Sequence, residues 1–169
     1  MADPLWKRGT ADIDARVMRY LAGDDVVLDR ELFLHDIEAS KAHVRGLASI
    51  GVLTADQADR LTGAMDALGT EFRAGEFVLD ERFEDGHSAI EIALTERLGE
   101  LGRKVHAGRS RNDQVLVATR LFVKAQLERL RTACAAVAGA ALDRAQADAM
   151  TPMPGYTHLQ RAVVSSVGL

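Results

Sequence analysis

The chain has 169 residues, 47% of them hydrophobic and 27% charged, with a formal net charge of −4 and a pI of about 5.7. That apolar share can build a core, and the acidic balance argues against a general nucleic-acid-binding surface. The single cysteine, Cys134, excludes an intrachain disulfide framework, and its place in an Ala-rich run predicts a small buried residue. Residues 132–142 form a long uncharged apolar run, too short for the ~20 apolar residues that cross a bilayer. Residues 1–8 lack the apolar segment of a secretory signal. The expectation is a cytoplasmic protein with no membrane and no nucleic-acid partner.

Residues 1–27 read as an extended arm with a short helix near 15–21. From 28 to 50 the pattern is helical: Asp29 can cap, Leu32, Ile37, Val44 and Leu47 fall near one face, and Gly51 stops it. Thr54 and Gln57 have capping-box spacing. Ala58, Leu61, Met65, Leu68 and Phe72 then follow at intervals of three and four, the pattern of an amphipathic helix ended by Gly75. Residues 77–86 are acidic and irregular. Ser88 and Glu91 have capping-box spacing before a helix carrying Ile90, Leu94, Leu98 and Leu101, which Gly99 and Gly102 terminate.

Ser110 and Asp113 form a third cap. Residues 115–149 complete one helix of roughly 38 residues, about 57 Å long. Its Ala stripe (Ala133, Ala136, Ala140, Ala141) allows close approach of neighbouring helices. Pro152 and Pro154 force a break. No strand is expected; 26–28 and 77–79 are candidates for short extended pieces only. The fold class is therefore all-α. A short-helix domain over 1–109 precedes the start of a long-helix bundle over 110–169. The last residues, 167–169, read as lying inside the start of another helix, which makes the chain an N-terminal portion of something longer; a stand-alone short helical domain is the alternative.

Two stretches carry chemistry. Lys104 to Gln114 reads K-V-H-A-G-R-S-R-N-D-Q and places Ser110, Arg111 and Asn112 where the long helix starts. Backbone N–H groups at a helix start, a guanidinium fork, a hydroxyl and an amide together suit an anion. Gly155 to Gln160 reads G-Y-T-H-L-Q and places Thr157 and the titratable His158 just after a Pro-Gly turn. A third group, Glu84-Asp85-Gly86-His87, could be a metal pair, but His43 and His106 stand at no metal-ligand spacing from it. A helix-start cluster satisfying backbone donors is the simpler reading.

These segments, with His35-Asp36-Ile37-Glu38-Ala39-Ser40-Lys41-Ala42, occur in an order and spacing that resemble the argininosuccinate lyase family of the fumarase/aspartase superfamily. G-R-S-R-N-D-Q is specific for that branch. The resemblance implies elimination of fumarate from argininosuccinate to give arginine, with no cofactor and no metal. It implies that Ser110, Arg111 and Asn112 hold the succinate end, that Thr157 binds substrate, that His158 is catalytic, and that Asp85 and His87 support the site. It further implies a homotetramer whose active sites are shared between subunits, and a catalytic serine loop beyond Leu169. The chain departs from the family at Leu5-Trp6-Lys7-Arg8-Gly9-Thr10, at Asp25, where many members carry a substrate-contacting Ser, and at Val163-Val164. A non-catalytic crystallin-like homologue and a sister lyase acting on adenylosuccinate or fumarate are the competing readings.

Overall fold

The computed structural model describes residues 14–169; the expected arm before Asp14 and the departure at 5–10 lie outside the described residues. Helix α1 spans Ala15–Ala22 and starts on the Asp14 carboxylate, which accepts the Arg16 N–H at 2.8 Å. Helix α2 spans Asp25–Ser49 and begins three residues before its expected start. Residues 26–28 are therefore helical and not extended. Val26, 4% exposed, packs into the core, and that burial outweighs the β-preference of a Val-Val pair. Asp29 does not cap: its Oδ2 accepts the Gly86 N–H at 2.8 Å from another part of the chain.

Helix α3 spans Ala55–Ala74 with both bonds of the Thr54–Gln57 capping box formed, at 3.2 and 3.1 Å. Gly75 closes it in the left-handed region at φ 76°, where a Cβ would be strained. Residues 77–79 are irregular, not extended strand. They are pinned because Leu79 is buried and its carbonyl accepts Arg30 Nε at 2.9 Å.

Helix α4 spans Gly86–Leu98, one turn's register earlier than the Ser88–Glu91 box implied. The real box is Asp85 with Ser88: Ser88 N–H donates to Asp85 Oδ1 at 2.7 Å, and Asp85 N–H donates to Ser88 Oγ at 3.1 Å. A 3-10 helix, Gly99–Lys104, folds back on the end of α4. Gly102 sits there so tightly that a Cβ would fall 2.3 Å from the Leu94 backbone.

The core lies between α2, α3 and α4. Phe33, Ile37 and Val44 of α2 meet Leu61, Met65 and Leu68 of α3 and Ile90 and Leu94 of α4, with Leu53, Leu79 and Val105 from the connections. Phe33 lies 4.7 Å from Phe72 and 5.6 Å from Phe77, ring centre to ring centre. Each such buried side chain contributes about 1.5–3 kcal/mol of transfer free energy.

Helix α5 spans Arg111–Ala147, 37 residues. Ser110 starts it: Asp113 N–H donates to Ser110 Oγ at 3.3 Å and Ser110 N–H donates to Asp113 Oδ2 at 3.1 Å. The chain divides into compact units at Met1–Val123 and Lys124–Leu169. Gln114 and Ala118, from the start of α5, are buried in the first unit.

The second unit holds the rest of α5 and an antiparallel hairpin, β1 (Pro152–Thr157) with β2 (Gln160–Ser166). Its presence corrects two expectations: that no strand forms, and that the last residues begin a helix. Pro152 and Pro154 bar helix and favour extended backbone, and Val163-Val164 suit a strand. His158 and Leu159 make the two-residue turn at φ 50° and 62°, the pattern of a type I′ connection. Histidine tolerates that region better than leucine does. Cys134 is exposed, not buried. Its neighbours on α5 are exposed as well, so small size and an Ala-rich setting do not by themselves bury a residue.

Candidate active site at the starts of helices α4 and α5

The first unit brings the starts of α4 and α5 together with the middle of α2. Asp85 caps α4 and also meets Arg111: Arg111 Nη1 lies 2.8 Å from Asp85 Oδ2 and 3.2 Å from Glu84 Oε1. Arg111 is 39% exposed at its side chain while both carboxylates are more covered, so the guanidinium forms the outer layer of the cluster. Asp29 lies beneath, half-buried, and burial raises its pKa above the usual carboxylate range.

Ser110 and Asn112 are exposed on the first turn. The Ser110 hydroxyl donates to Asp113 Oδ2 at 3.0 Å, so capping is its observed role. Arg109 points the other way, toward the interior. Its Nη2 donates to Ser40 Oγ at 3.0 Å and to His106 Nδ1 at 2.7 Å, and its Nε is buried without a partner among the described residues.

A buried polar chain lies under the surface. Gln114 Nε2 donates to both Asp36 oxygens at 2.5 Å, and Ser40 Oγ donates to Asp36 Oδ1 at 3.3 Å. His87 Nδ1 donates to Gln114 Oε1. Burial raises Asp36 to about 6 against the pull of Gln114 and Arg109. Burial likewise pushes His87 below the usual imidazole range. His106 falls to about 2, through burial first and then through His87 and Arg109. A neutral His106 accepts from Arg109 at Nδ1 and donates through Nε2 to the His87 carbonyl at 3.4 Å.

Sequence spacing gave no reason to group His106 with His87, yet the rings stack with centres 3.8 Å apart. With Glu91 they place ligand atoms within 4.8 Å of one another. Reach alone would admit a metal ion, but the donor set opposes one. The rings lie face to face at 19°, and one His106 nitrogen already faces the Arg109 guanidinium. His43 donates from Nε2 to the Ala107 carbonyl at 2.9 Å, a structural bond that ties α2 to the segment before Arg109.

The structure thus brings together Asp85, His87 and Arg111, with Ser110 and Asn112 on the adjoining turn. Thr157 and His158 stand at the exposed tip of the hairpin in the second unit. Asp25 is the exposed first residue of α2. Sequence reasoning quoted Asp36, Ser40 and Gln114 only as motif letters and gave them no role. The available signal was the i, i+4 spacing of Asp36 and Ser40 within a helical pattern, which puts both polar side chains on one face.

A family model described simply as a lyase matches residues 9–169. Argininosuccinate lyases of Stenotrophomonas maltophilia (strain R551-3) and Xanthomonas oryzae pv. oryzae (strain PXO99A) are 60% and 59% identical over all 169 residues. The chain spans 39% of the length of each of these curated relatives. Among solved structures, an EDDS lyase variant with bound fumarate aligns at TM-score 0.65 and 25% identity, covering 94% of this chain and 31% of that one. A fumarate lyase:delta crystallin from Brucella melitensis aligns at TM-score 0.71 and 18% identity, covering 99% of this chain and 44% of that one, a likeness of fold alone. Carrying that family's match from Gly9 to its last residue, with the helical fold of those neighbours, the chain belongs to the lyase family.

Proposed function

We propose that the protein is an argininosuccinate lyase, a carbon–nitrogen lyase that eliminates fumarate from argininosuccinate to leave arginine. The observation that carries this reading is the 56–60% identity to argininosuccinate lyases across the whole chain. In such an elimination a base removes a proton beside a carboxylate, and charge spreads into that carboxylate before the guanidinium nitrogen departs. Fixed donors aimed at the carboxylate stabilise the developing charge, each worth roughly 3–4 kcal/mol in comparable sites.

Arg111, Ser110 and Asn112 are assigned to that grip. A guanidinium has five N–H donors. Arg111 pairs with Asp85 and Glu84 through Nη1, so its other nitrogens can face a ligand carboxylate while the acidic pair holds the side chain in place. Asp85 and His87 are assigned supporting roles beneath the grip. Thr157 is assigned to substrate binding and His158 to proton transfer. Their place on a different compact unit fits a site assembled between copies of the chain, and the exposed apolar residues Leu127, Leu130, Val137 and Leu142 on α5 fit a helix that packs in a homotetramer. No helix among the described residues is long and apolar enough to cross a membrane, and the cytoplasm is the proposed compartment.

The test is fumarate release, followed by ultraviolet absorbance, from the protein in its full encoded length. Argininosuccinate should be cleaved and adenylosuccinate should not. Cleavage of adenylosuccinate in preference, or hydration of fumarate, would establish the sister-lyase reading, and no turnover of any of the three would favour the structural-homologue reading. The 169 residues alone are expected to release no fumarate. Inactive full-length variants His158→Asn and Arg111→Ala should regain some activity when unfolded and refolded together; no recovery would oppose shared sites.

A further inference from the structure

Gln114 is wholly buried one turn into α5, with its amide nitrogen 2.5 Å from both Asp36 oxygens. A carboxylate accepts hydrogen bonds and cannot donate them. The nitrogen of the amide must therefore face Asp36, and its oxygen must face His87. An amide oxygen in turn only accepts, so the imidazole nitrogen beside it, Nδ1, carries the proton. Asp36 is itself held by Ser40 on its own helix.

We propose that Asp36 and Gln114 are positioning residues for His87: the carboxylate fixes the direction of the buried amide, and the amide oxygen fixes the imidazole as its Nδ1–H tautomer with the lone pair on Nε2. The three side chains come from α2, α5 and α4, with Asp36 and Gln114 78 residues apart, so packing of the unit sets this arrangement and no local motif does. His106, stacked on His87, holds the opposite tautomer, because Arg109 occupies its Nδ1 and its Nε2 faces the His87 carbonyl. Burial favours the neutral form of both rings. A neutral His87 whose Nε2 lone pair has no hydrogen-bond partner among the described residues, two positions along the chain from Asp85 of the Asp85–Arg111 pair, is set to accept a proton or a hydrogen bond from a bound substrate or water. That catalytic consequence rests on the lyase reading; the tautomer does not.

Long-range proton–nitrogen correlation on the protein at about pH 7.5 reads the tautomer directly, with the His87 signal identified by its loss in His87→Asn. A pyrrole-type Nδ1 and a pyridine-type Nε2 are expected; a predominant Nε2–H form would overturn the proposal. Asp36→Asn should raise the Nε2–H fraction, since an asparagine can donate or accept and no longer dictates how the amide points. Gln114→Glu, whose oxygens still accept from Nδ1–H, should keep the wild-type form. An unchanged spectrum in Asp36→Asn would remove Asp36 from the chain of control. If that variant does not fold, loss of the Nδ1–H form in Gln114→Leu beside its retention in Gln114→Glu decides the same point. In the full encoded length, Asp36→Asn should lower kcat about tenfold or more with little change in KM. An unchanged kcat would refute the catalytic consequence. Absence of any wild-type lyase activity would refute the proposed function and leave the tautomer result standing.

Discussion

The first unit and the second use similar residues to opposite effect. In the first, Phe33, Leu61, Met65, Leu68 and Leu94 are all within 1% of complete burial, and even the polar Ser40, Ser88 and Gln114 are enclosed and hydrogen-bonded. In the second, Leu130 is 60% exposed, Val137 70%, Leu142 70% and Val164 84%. Apolar content does not separate the two regions; the supply of partner surfaces does. Three helices around one core give the first unit faces to bury, whereas the later part of α5 and the hairpin present apolar residues that a single chain leaves uncovered. The polar site elements follow the same division. In the first unit Asp85, His87, Ser110 and Arg111 are held by hydrogen bonds or ion pairs, and Thr157 and His158 stand exposed at the tip of the hairpin.

Core truncation should show the contrast most strongly. Phe33→Ala removes a ring packed against Phe72 and Phe77 and should cost about 3–5 kcal/mol in urea unfolding. A loss below about 1 kcal/mol would mean that the α2–α3–α4 core is not the stabilising centre.

The two arginines flanking Ser110 sharpen the comparison within the first unit. Arg111→Ala, assayed in the full encoded length, should lower kcat/KM by about 100-fold while leaving the unfolding midpoint close to wild type. Arg109→Ala breaks bonds to Ser40 and His106 and should mainly lower stability, by about 1–3 kcal/mol. Equal kinetic losses, or a larger one for Arg109, would overturn the assignment of Arg111 to the grip.

Acid should act on the first region through its buried histidines. His106 titrates near 2 in the fold against an ordinary 6.5, so the unfolded chain takes up the proton first and stability present above 6.5 is lost as pH falls. Asp36 works in the other sense. Raised to about 6 from 3.8, it binds its proton more tightly in the fold, and its contribution is fully present below 3.8 and lost as pH rises through 6. The larger shift belongs to His106, so thermal midpoints should fall from about pH 7 to about pH 5. Asp36→Asn removes the opposing contribution and should steepen that fall. A midpoint that rises toward acid would contradict the neutral, buried His106.

The smallest effect is expected on the exposed side. Leu130→Ala should change the stability of the 169-residue chain by less than about 0.5 kcal/mol, against the several expected for Phe33→Ala. A comparable loss, measured on dilute protein in the same urea series, would show that this face of α5 is covered in solution.

Helix existence was legible in the chain, and helix starts were partly so. The Thr54–Gln57 box, the Gly75 stop and the Ser110–Asp113 cap all form as their spacing implies, because capping bonds join residues three apart and need no tertiary partner. The start of α4 was misread by one turn because Asp85 and Ser88 both suit a cap, and only the packing of Gly86 on Asp29 and Phe33 separates them. The hairpin escaped notice since its turn, His158-Leu159, lacks the Gly or Asn that normally marks a type I′ connection.

For the candidate site, sequence alone determined which residue types stand at the start of α5 and that Ser110, Arg111 and Asn112 share its first turn, since helix geometry places consecutive residues there whatever surrounds them. Tertiary structure decided the rest. That Arg111 faces Asp85 while Arg109 turns inward depends on where α4 and α2 lie. That Gln114 joins Asp36 to His87 depends on three helices meeting at one point, and burial there makes an unpaired polar group costly enough to fix every partner. Local spacing cannot encode that constraint, because its parts lie 27 and 78 residues apart in the chain.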